Sequence, residues 1–149
     1  MGIGQDADAD TGRTRGLKLS MFDISDPGNV KEVHKLYLGE NTDSEILYNY
    51  KAIMVNSDKN IIGFSYRVAD SHLNPYYGVY NYDETMGFTE EFTYKQHANN
   101  YANLRGTYIG DTIYILSLAQ FDYANYRENS YVNAYHRSNY KLIEKLNLD

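Results

Sequence analysis

The fold class that this sequence predicts is all-β, with antiparallel sheets stacked on one another, and three observations predict it. Apolar residues alternate with a period of two in short segments, and no stretch keeps the helical period over several turns. Clusters of Asp, Asn, Gly and Ser punctuate those segments, as turns between strands require. Tyrosine is abundant, 17 residues beside 5 Phe and no Trp, and its ring suits a pleated surface that is half buried and half wet.

The elements follow in order. Leu17, Leu19 and Met21 alternate with Lys18 and Ser20, and Asp26-Pro27-Gly28-Asn29 supplies turn chemistry before a return strand, Lys31 to Leu38. Lys51 to Asn56 and Asn60 to Val68 are joined by Ser57-Asp58-Lys59. Tyr76 to Asp83 and Phe88 to Lys95 flank Glu84-Thr85-Met86-Gly87. The remaining strands are Leu104 to Ile109, Asp111 to Leu118, Tyr131 to Arg137 and Lys141 to Leu148, and Gln96 to Arg105 is predicted as a loop or a single helical turn.

In DTIYILSL, Ile113 and Ile115 point one way while Tyr114, Leu116 and Leu118 point the other, so a strand in an antiparallel meander is apolar on both faces. Such a strand needs sheets on either side of it. A faint repeat names the arrangement. AIMVNSDKNIIGFSY from Ala52 resembles GTYIGDTIYILSL from Gly106, and YNYDETMGFTEEFTY from Tyr80 resembles AYHRSNYKLIEKLNL from Ala134, both at an offset of 54 residues. A four-stranded unit repeating at that length and stacked face to face is a β-propeller blade. The predicted organisation is one domain over residues 1–149, a β-propeller fragment of about two and a half four-stranded antiparallel blades. Residues 17–38 form an outer half-blade, 51–95 one blade and 104–148 another, with the half-blade's inner strands expected upstream of Met1.

Composition narrows the function classes. A net charge of −6 with scattered Lys and Arg argues against nucleic acid, which needs a basic patch. The absence of cysteine removes disulfides and thiolate zinc sites. No apolar run approaches the roughly 20 residues of a membrane helix, and MGIGQDADAD has no apolar segment of the kind a signal peptide carries.

GIGQDADADTGRTRGLKLSMFDISDPGNVKEVHKLYLG, with SEILYNYKAIMV after it and RGTYIGDTIYIL later, resembles the secreted bacterial and archaeal proteins that carry a C-terminal β-propeller domain, distantly related to WD repeats. The shared features are the acidic opening, the G-L-K-L-S run and the F-D-[VI]-S-D-P corner. The resemblance implies export, a secreted or cell-surface location and a chain that is the closing part of a longer propeller. It implies no particular ligand.

Two acidic clusters are candidates for chemistry. Asp23 and Asp26 are expected to act in the turn, Asp26 initiating it and Asp23 capping a strand end through backbone hydrogen bonds. Asp6, Asp8 and Asp10 stand at alternate positions, as in calcium loops, and are the candidate metal ligands. Thr11 stands where an EF-hand has glycine and Leu17 where it has its bidentate Glu, so a shorter loop would be needed. Calcium is the one cofactor that these residues suggest. The histidines, His34, His72, His97 and His136, lie far apart in the sequence, and neither a nucleophile elbow nor a phosphate loop is present. Tyr76-Tyr77 and the pair Tyr123 and Tyr126 are candidate sugar platforms, against packing between sheets.

The function expected is that of a non-catalytic binding module contacting protein or a cell-surface polymer. The alternatives are part of a propeller hydrolase or lyase with its site in the central channel, and a carbohydrate-binding module. The uncovered faces of a partial propeller are further expected to make the chain self-associate.

Overall fold

Turn chemistry sets where the strands end. Asp23 Oδ1 accepts from the Ser25 N–H at 2.9 Å and Asp26 Oδ1 from the Gly28 N–H at 3.0 Å, while Asp83 Oδ1 accepts from the Thr85 and Met86 N–H groups, both at 2.8 Å. Gly110 begins a two-residue hairpin loop at a φ of +59°, a conformation that glycine adopts without strain. The computed structural model describes residues 1–69, 75–96, 103–122 and 127–148. Its strands are β1 (Gly2–Ala7), β2 (Thr14–Asp23), β3 (Lys31–Tyr37), β4 (Thr42–Asp43), β5 (Ile53–Asn56) and β6 (Ile61–Val68). They continue with β7 (Pro75–Asp83), β8 (Gly87–Lys95), β9 (Asn103–Ile109), β10 (Thr112–Asp122), β11 (Arg127–His136) and β12 (Leu142–Asn147).

These strands form three antiparallel sheets with the orders β1-β2-β3, β4-β6-β7-β8 and β12-β11-β10-β9, and β5 lies beside β4 on the same edge of β6. All the strands expected from the sequence are present, and Ile53 and Ile113 lie in different sheets. The first sheet is larger than the predicted hairpin. Gly2 to Ala7 pairs with Thr14 to Ser20, a strand that Gly-Ile-Gly conceals because it carries almost no side-chain pattern. The stretch from Ala119 to Ser130, expected as a loop, instead extends β10 to Asp122 and starts β11 at Arg127.

The sheets stack through two apolar layers. Leu17 and Leu19 of β2 meet Ile62, Phe64, Tyr66 and Tyr80 of the second sheet. On its other face, Met54, Ile61, Tyr77 and Val79 meet Leu104, Ile113, Ile115 and Tyr135 of the third. The centre of the middle sheet, β6 and β7, is thus buried on both sides, although its connections are those of a meander. Each fully buried side chain of this size contributes about 1.5–3 kcal/mol, and Leu17, Leu19, Phe64, Ile113 and Ile115 are all fully buried. Along one margin the edge strands are β1, the β4–β5 line and β9; along the other β3 packs on β8, and Phe92 of β8 meets Tyr135 and Tyr140.

The Tyr77 ring crosses the inner layer so that its hydroxyl lies over Gly106 of β9 and beside Gly63 of β6. A Cβ on Gly106 would occupy the space of that ring, whereas a Cβ on Gly4 of β1 would meet nothing. Gly106→Ala is therefore expected to cost about 1–3 kcal/mol by overpacking, and Gly4→Ala to change stability by less than about 0.5 kcal/mol. Urea denaturation of the two variants checks the difference; equal midpoints would contradict this packing.

Candidate functional site

One edge of the second sheet is occupied by a broken strand. Thr42 and Asp43 pair with Val68 and Arg67, the chain then leaves the sheet, and it returns at Ile53 opposite Phe64. Residues 44–52 form an excursion from this line. Ser44 fills the gap in the ladder, its hydroxyl donating to the Ser65 carbonyl at 2.5 Å and accepting from the Ile46 N–H at 3.2 Å.

Local sequence sets the shape of the excursion. Ser44 caps a 3-10 turn over Glu45–Leu47, and Asn49 caps a second over Tyr50–Ala52, its Oδ1 accepting from the Lys51 N–H at 3.1 Å. Short polar caps of this kind take up N–H groups that the turn itself leaves unpaired. Ile46 and Leu47 pack beneath, against the layer shared with the first sheet, and Ala52 is buried. Glu45 ties the outside down: its Oε1 accepts from Arg105 of β9 and from Asn49 Nδ2, both at 2.5 Å. Those two donors hold the Glu45 carboxyl below the usual carboxylate range. Tyr48 and Tyr50, in contrast, are 79% and 80% exposed.

The hollow beside this excursion, lined by Asp43, Ser44, Glu45, Tyr48 and Arg67, holds about 60 Å³. Small-molecule sites usually measure roughly 300–1,000 Å³. It is too small for a substrate, so the excursion offers a surface rather than a pocket. A larger cleft of about 520 Å³ opens at the opposite end of β6, between the second and third sheets, with Asn60, His136 and Tyr140 among its lining.

The candidate calcium ligands take separate positions. Asp6 lies in β1 opposite Gly16, with Lys18 Nζ 3.4 Å from its Oδ1. Asp8 organises the loop between β1 and β2: its Oδ1 accepts from the N–H groups of Asp10 (3.0 Å) and Thr11 (2.8 Å) and from the Thr11 hydroxyl (3.0 Å), and its Oδ2 pairs with Arg15. Asp10 is exposed. Among the described residues, no group of three or more His, Asp or Glu side chains is placed to hold a metal ion. A calcium ion at this loop would have to displace Arg15 from Asp8 and Lys18 from Asp6.

Other candidates sort by burial. Tyr77 is fully buried, so Tyr76-Tyr77 is not a sugar platform, and Tyr76 stacks on Tyr66 at 5.3 Å. His34 Nδ1 lies 3.0 Å from the Tyr82 hydroxyl between the first two sheets. His72, His97, Tyr123 and Tyr126 lie outside the described residues. The excursion itself escaped the sequence reading, since EILYNYK has no strand alternation and no helical period. Its one local signal is Ser44 and Asn49 at capping positions.

The Thr11 donors, Arg15 and the Asp10 N–H lower the Asp8 pKa to about 2. In the unfolded chain the value is about 3.9. A depressed folded value means stability present above the unfolded pKa and lost as pH falls through the folded one. The chain is expected to lose this contribution between about pH 4 and pH 2, and Asp8→Asn to flatten that part of the pH–stability curve; an unchanged curve would refute the role of Asp8. Thermal denaturation with calcium then tests the ion. A rise in midpoint that Asp8→Asn abolishes would mean that calcium wins the competition with Arg15.

No curated protein and no solved structure matches the chain. Among the described residues no helix is long and apolar enough to cross a membrane. A family model described as a beta propeller domain matches residues 1–129, a span that includes all of the first two sheets and the β9–β10 hairpin of the third. With its stacked antiparallel sheets and this match over most of its length, the chain belongs to the beta propeller domain family.

Proposed function

We propose that the chain is a non-catalytic binding module of an exported β-propeller, and that it contacts a protein or a cell-surface polymer through the excursion at residues 44–52. The observation that carries this reading is the pair Tyr48 and Tyr50, about four-fifths exposed on a segment capped by Ser44 and Asn49 and tied to β9 by Glu45 and Arg105. Tyrosine is enriched in binding hot spots because it brings a large amphipathic surface with few rotatable bonds. A braced loop also loses little freedom on binding, which favours affinity. Export is carried by the resemblance of the opening segment to secreted propeller proteins.

The hydrolase or lyase reading draws less support. Glu45, the carboxylate beside the hollow, is held ionised by Arg105 and Asn49 and so is a poor proton donor at neutral pH. Co-sedimentation with cell-envelope preparations of the producing organism tests the proposal. The native chain is expected to pellet with the envelope. The Tyr48→Ser, Tyr50→Ser double variant is expected to keep its melting temperature and bind at least about tenfold more weakly. Equal binding by the two would overturn the excursion as the contact surface.

Self-association is part of the same reading. The outward face of the third sheet carries Ile109 (69% exposed), Leu118 (38%) and Leu146 (55%) on one side of its ladder. Apolar surface of this kind favours association. Light scattering is expected to show a dimer or larger species at high concentration, and Leu118→Lys with Leu146→Lys to return it to monomer. A native chain that is monomeric throughout would refute this.

A further inference from the structure

The cleft between the second and third sheets lies at the far end of β6 from Tyr48 and Tyr50, and its construction goes beyond the binding role proposed for them. Its volume of about 520 Å³ falls within the range of small-ligand sites. Its lining includes Asn60, Asn81, Glu91, Asp111, Arg137 and Tyr140. With His136 beside them, these bring the Tyr140 ring together with an imidazole and with planar amide, carboxylate and guanidinium groups.

Tyr140 is the informative residue. It closes the turn between β11 and β12, its N–H donating to the His136 carbonyl at 2.7 Å, and it does so at a φ of +53°. Glycine or asparagine adopts that left-handed conformation readily, whereas a bulky side chain there is an outlier whose strain the surroundings must offset. The surroundings do so by stacking: the Tyr140 and Phe92 rings are 5.0 Å apart and within 2° of parallel. The ring is held at the cleft at the expense of local backbone comfort, and the turn alone does not require it. Burial and the Glu91 charge raise its pKa, so the hydroxyl stays neutral and able both to donate and to accept.

The walls are braced before any ligand arrives. Asn81 Nδ2 donates to Glu91 Oε1 at 2.5 Å, and Asn60 makes two hydrogen bonds to the Tyr82 backbone, at 2.9 and 3.0 Å. Arg137 donates from its side chain to the Lys59 carbonyl and from its backbone to the Asp111 carbonyl, and Lys59 Nζ lies 3.2 Å from Asp111 Oδ1. The charged side chains of the lining are Glu91, Asp111 and Arg137, and Lys59 pairs with Asp111 from outside it, so the cleft carries no excess of positive charge. An anion would need an excess of positive charge, and a hydrophobic ligand would need apolar walls. A neutral molecule with one apolar face and a rim of hydroxyls needs what is present: a ring to lie on and planar groups that pair with adjacent hydroxyls.

We propose that this cleft binds a neutral saccharide, with Tyr140 beneath the sugar ring and Asn81, Glu91 and Arg137 around its hydroxyls. The test is an amide-resolved NMR titration of the whole chain with glucose, galactose, mannose, N-acetylglucosamine, cellobiose and chitobiose at millimolar concentrations, with inorganic phosphate as the anionic control. At least one sugar is expected to shift the amides of Asn81, Glu91, Arg137 and Tyr140, and phosphate none of them. Glycine suits the backbone at position 140, so Tyr140→Gly is expected to stay folded and to weaken the response by about tenfold. Tyr140→Phe, which keeps the ring, is expected to retain binding. The proposal is overturned if no sugar in the set moves these amides, if phosphate alone does, or if Tyr140→Gly binds as the native chain does. Because Tyr48 and Tyr50 lie at the other end of β6, Tyr48→Ser with Tyr50→Ser leaves this titration unchanged, which separates failure here from failure of the excursion.

Discussion

The structure depends on burying the central strands of the middle sheet, β6 and β7, on both faces. An antiparallel meander commonly wets one side, and the strands β6 and β7 could not carry Ile61, Ile62, Phe64, Tyr77, Val79 and Tyr80 if either side were open. The covering sheets must therefore come close, and close approach needs room for large rings. Tyr77 obtains it from glycine on both sides, Gly63 in its own sheet and Gly106 in the next. Ring and glycine together set the position of β9 against β6, as the distance between stacked sheets is governed by what interdigitates.

That placement reaches the surface through one residue. Arg105, next to Gly106 in β9, is the residue that holds Glu45, and Glu45 holds Asn49. The excursion is consequently attached to the same packing that orders the core, through the buried Ser44 and Ala52 and through Ile46 and Leu47. Tyr48 and Tyr50 stand on one margin, and the cleft with Tyr140 opens where the turns at the other end of β6 brace one another. Both surfaces use tyrosine in the same way, as a ring presented by a backbone that cannot easily yield.

The strands with alternating side chains were legible because period-two patterning is a local property. The Asp23–Asp26 corner was legible for the same reason, since side-chain-to-backbone bonds over two residues depend on the sequence nearby. β1 was not, because Gly2 and Gly4 leave no side-chain alternation in a strand that pairs with β2 through its backbone. The interruption between β4 and β5 also escaped, since a strand that pauses and resumes on the same neighbour is recognised only from that neighbour, β6. The acidic run at Asp6, Asp8 and Asp10 reads as three equivalent carboxylates. Their different partners come from Lys18 and Arg15 on the facing strand, which the hairpin brings within reach.

By itself, then, the sequence determined the all-β class and the sites of most strands and turns, because each rests on interactions between residues close in the chain. The tertiary structure alone decided which tyrosines do what. Tyr77 is buried, Tyr76 stacks on Tyr66, Tyr48 and Tyr50 stand in solvent, and Tyr140 borders a cleft. These are chemically identical side chains, and nothing local distinguishes them. Their roles are set by what lies across the sheet interface, Gly106 for Tyr77 and Phe92 for Tyr140, and such partners meet only when the sheets stack.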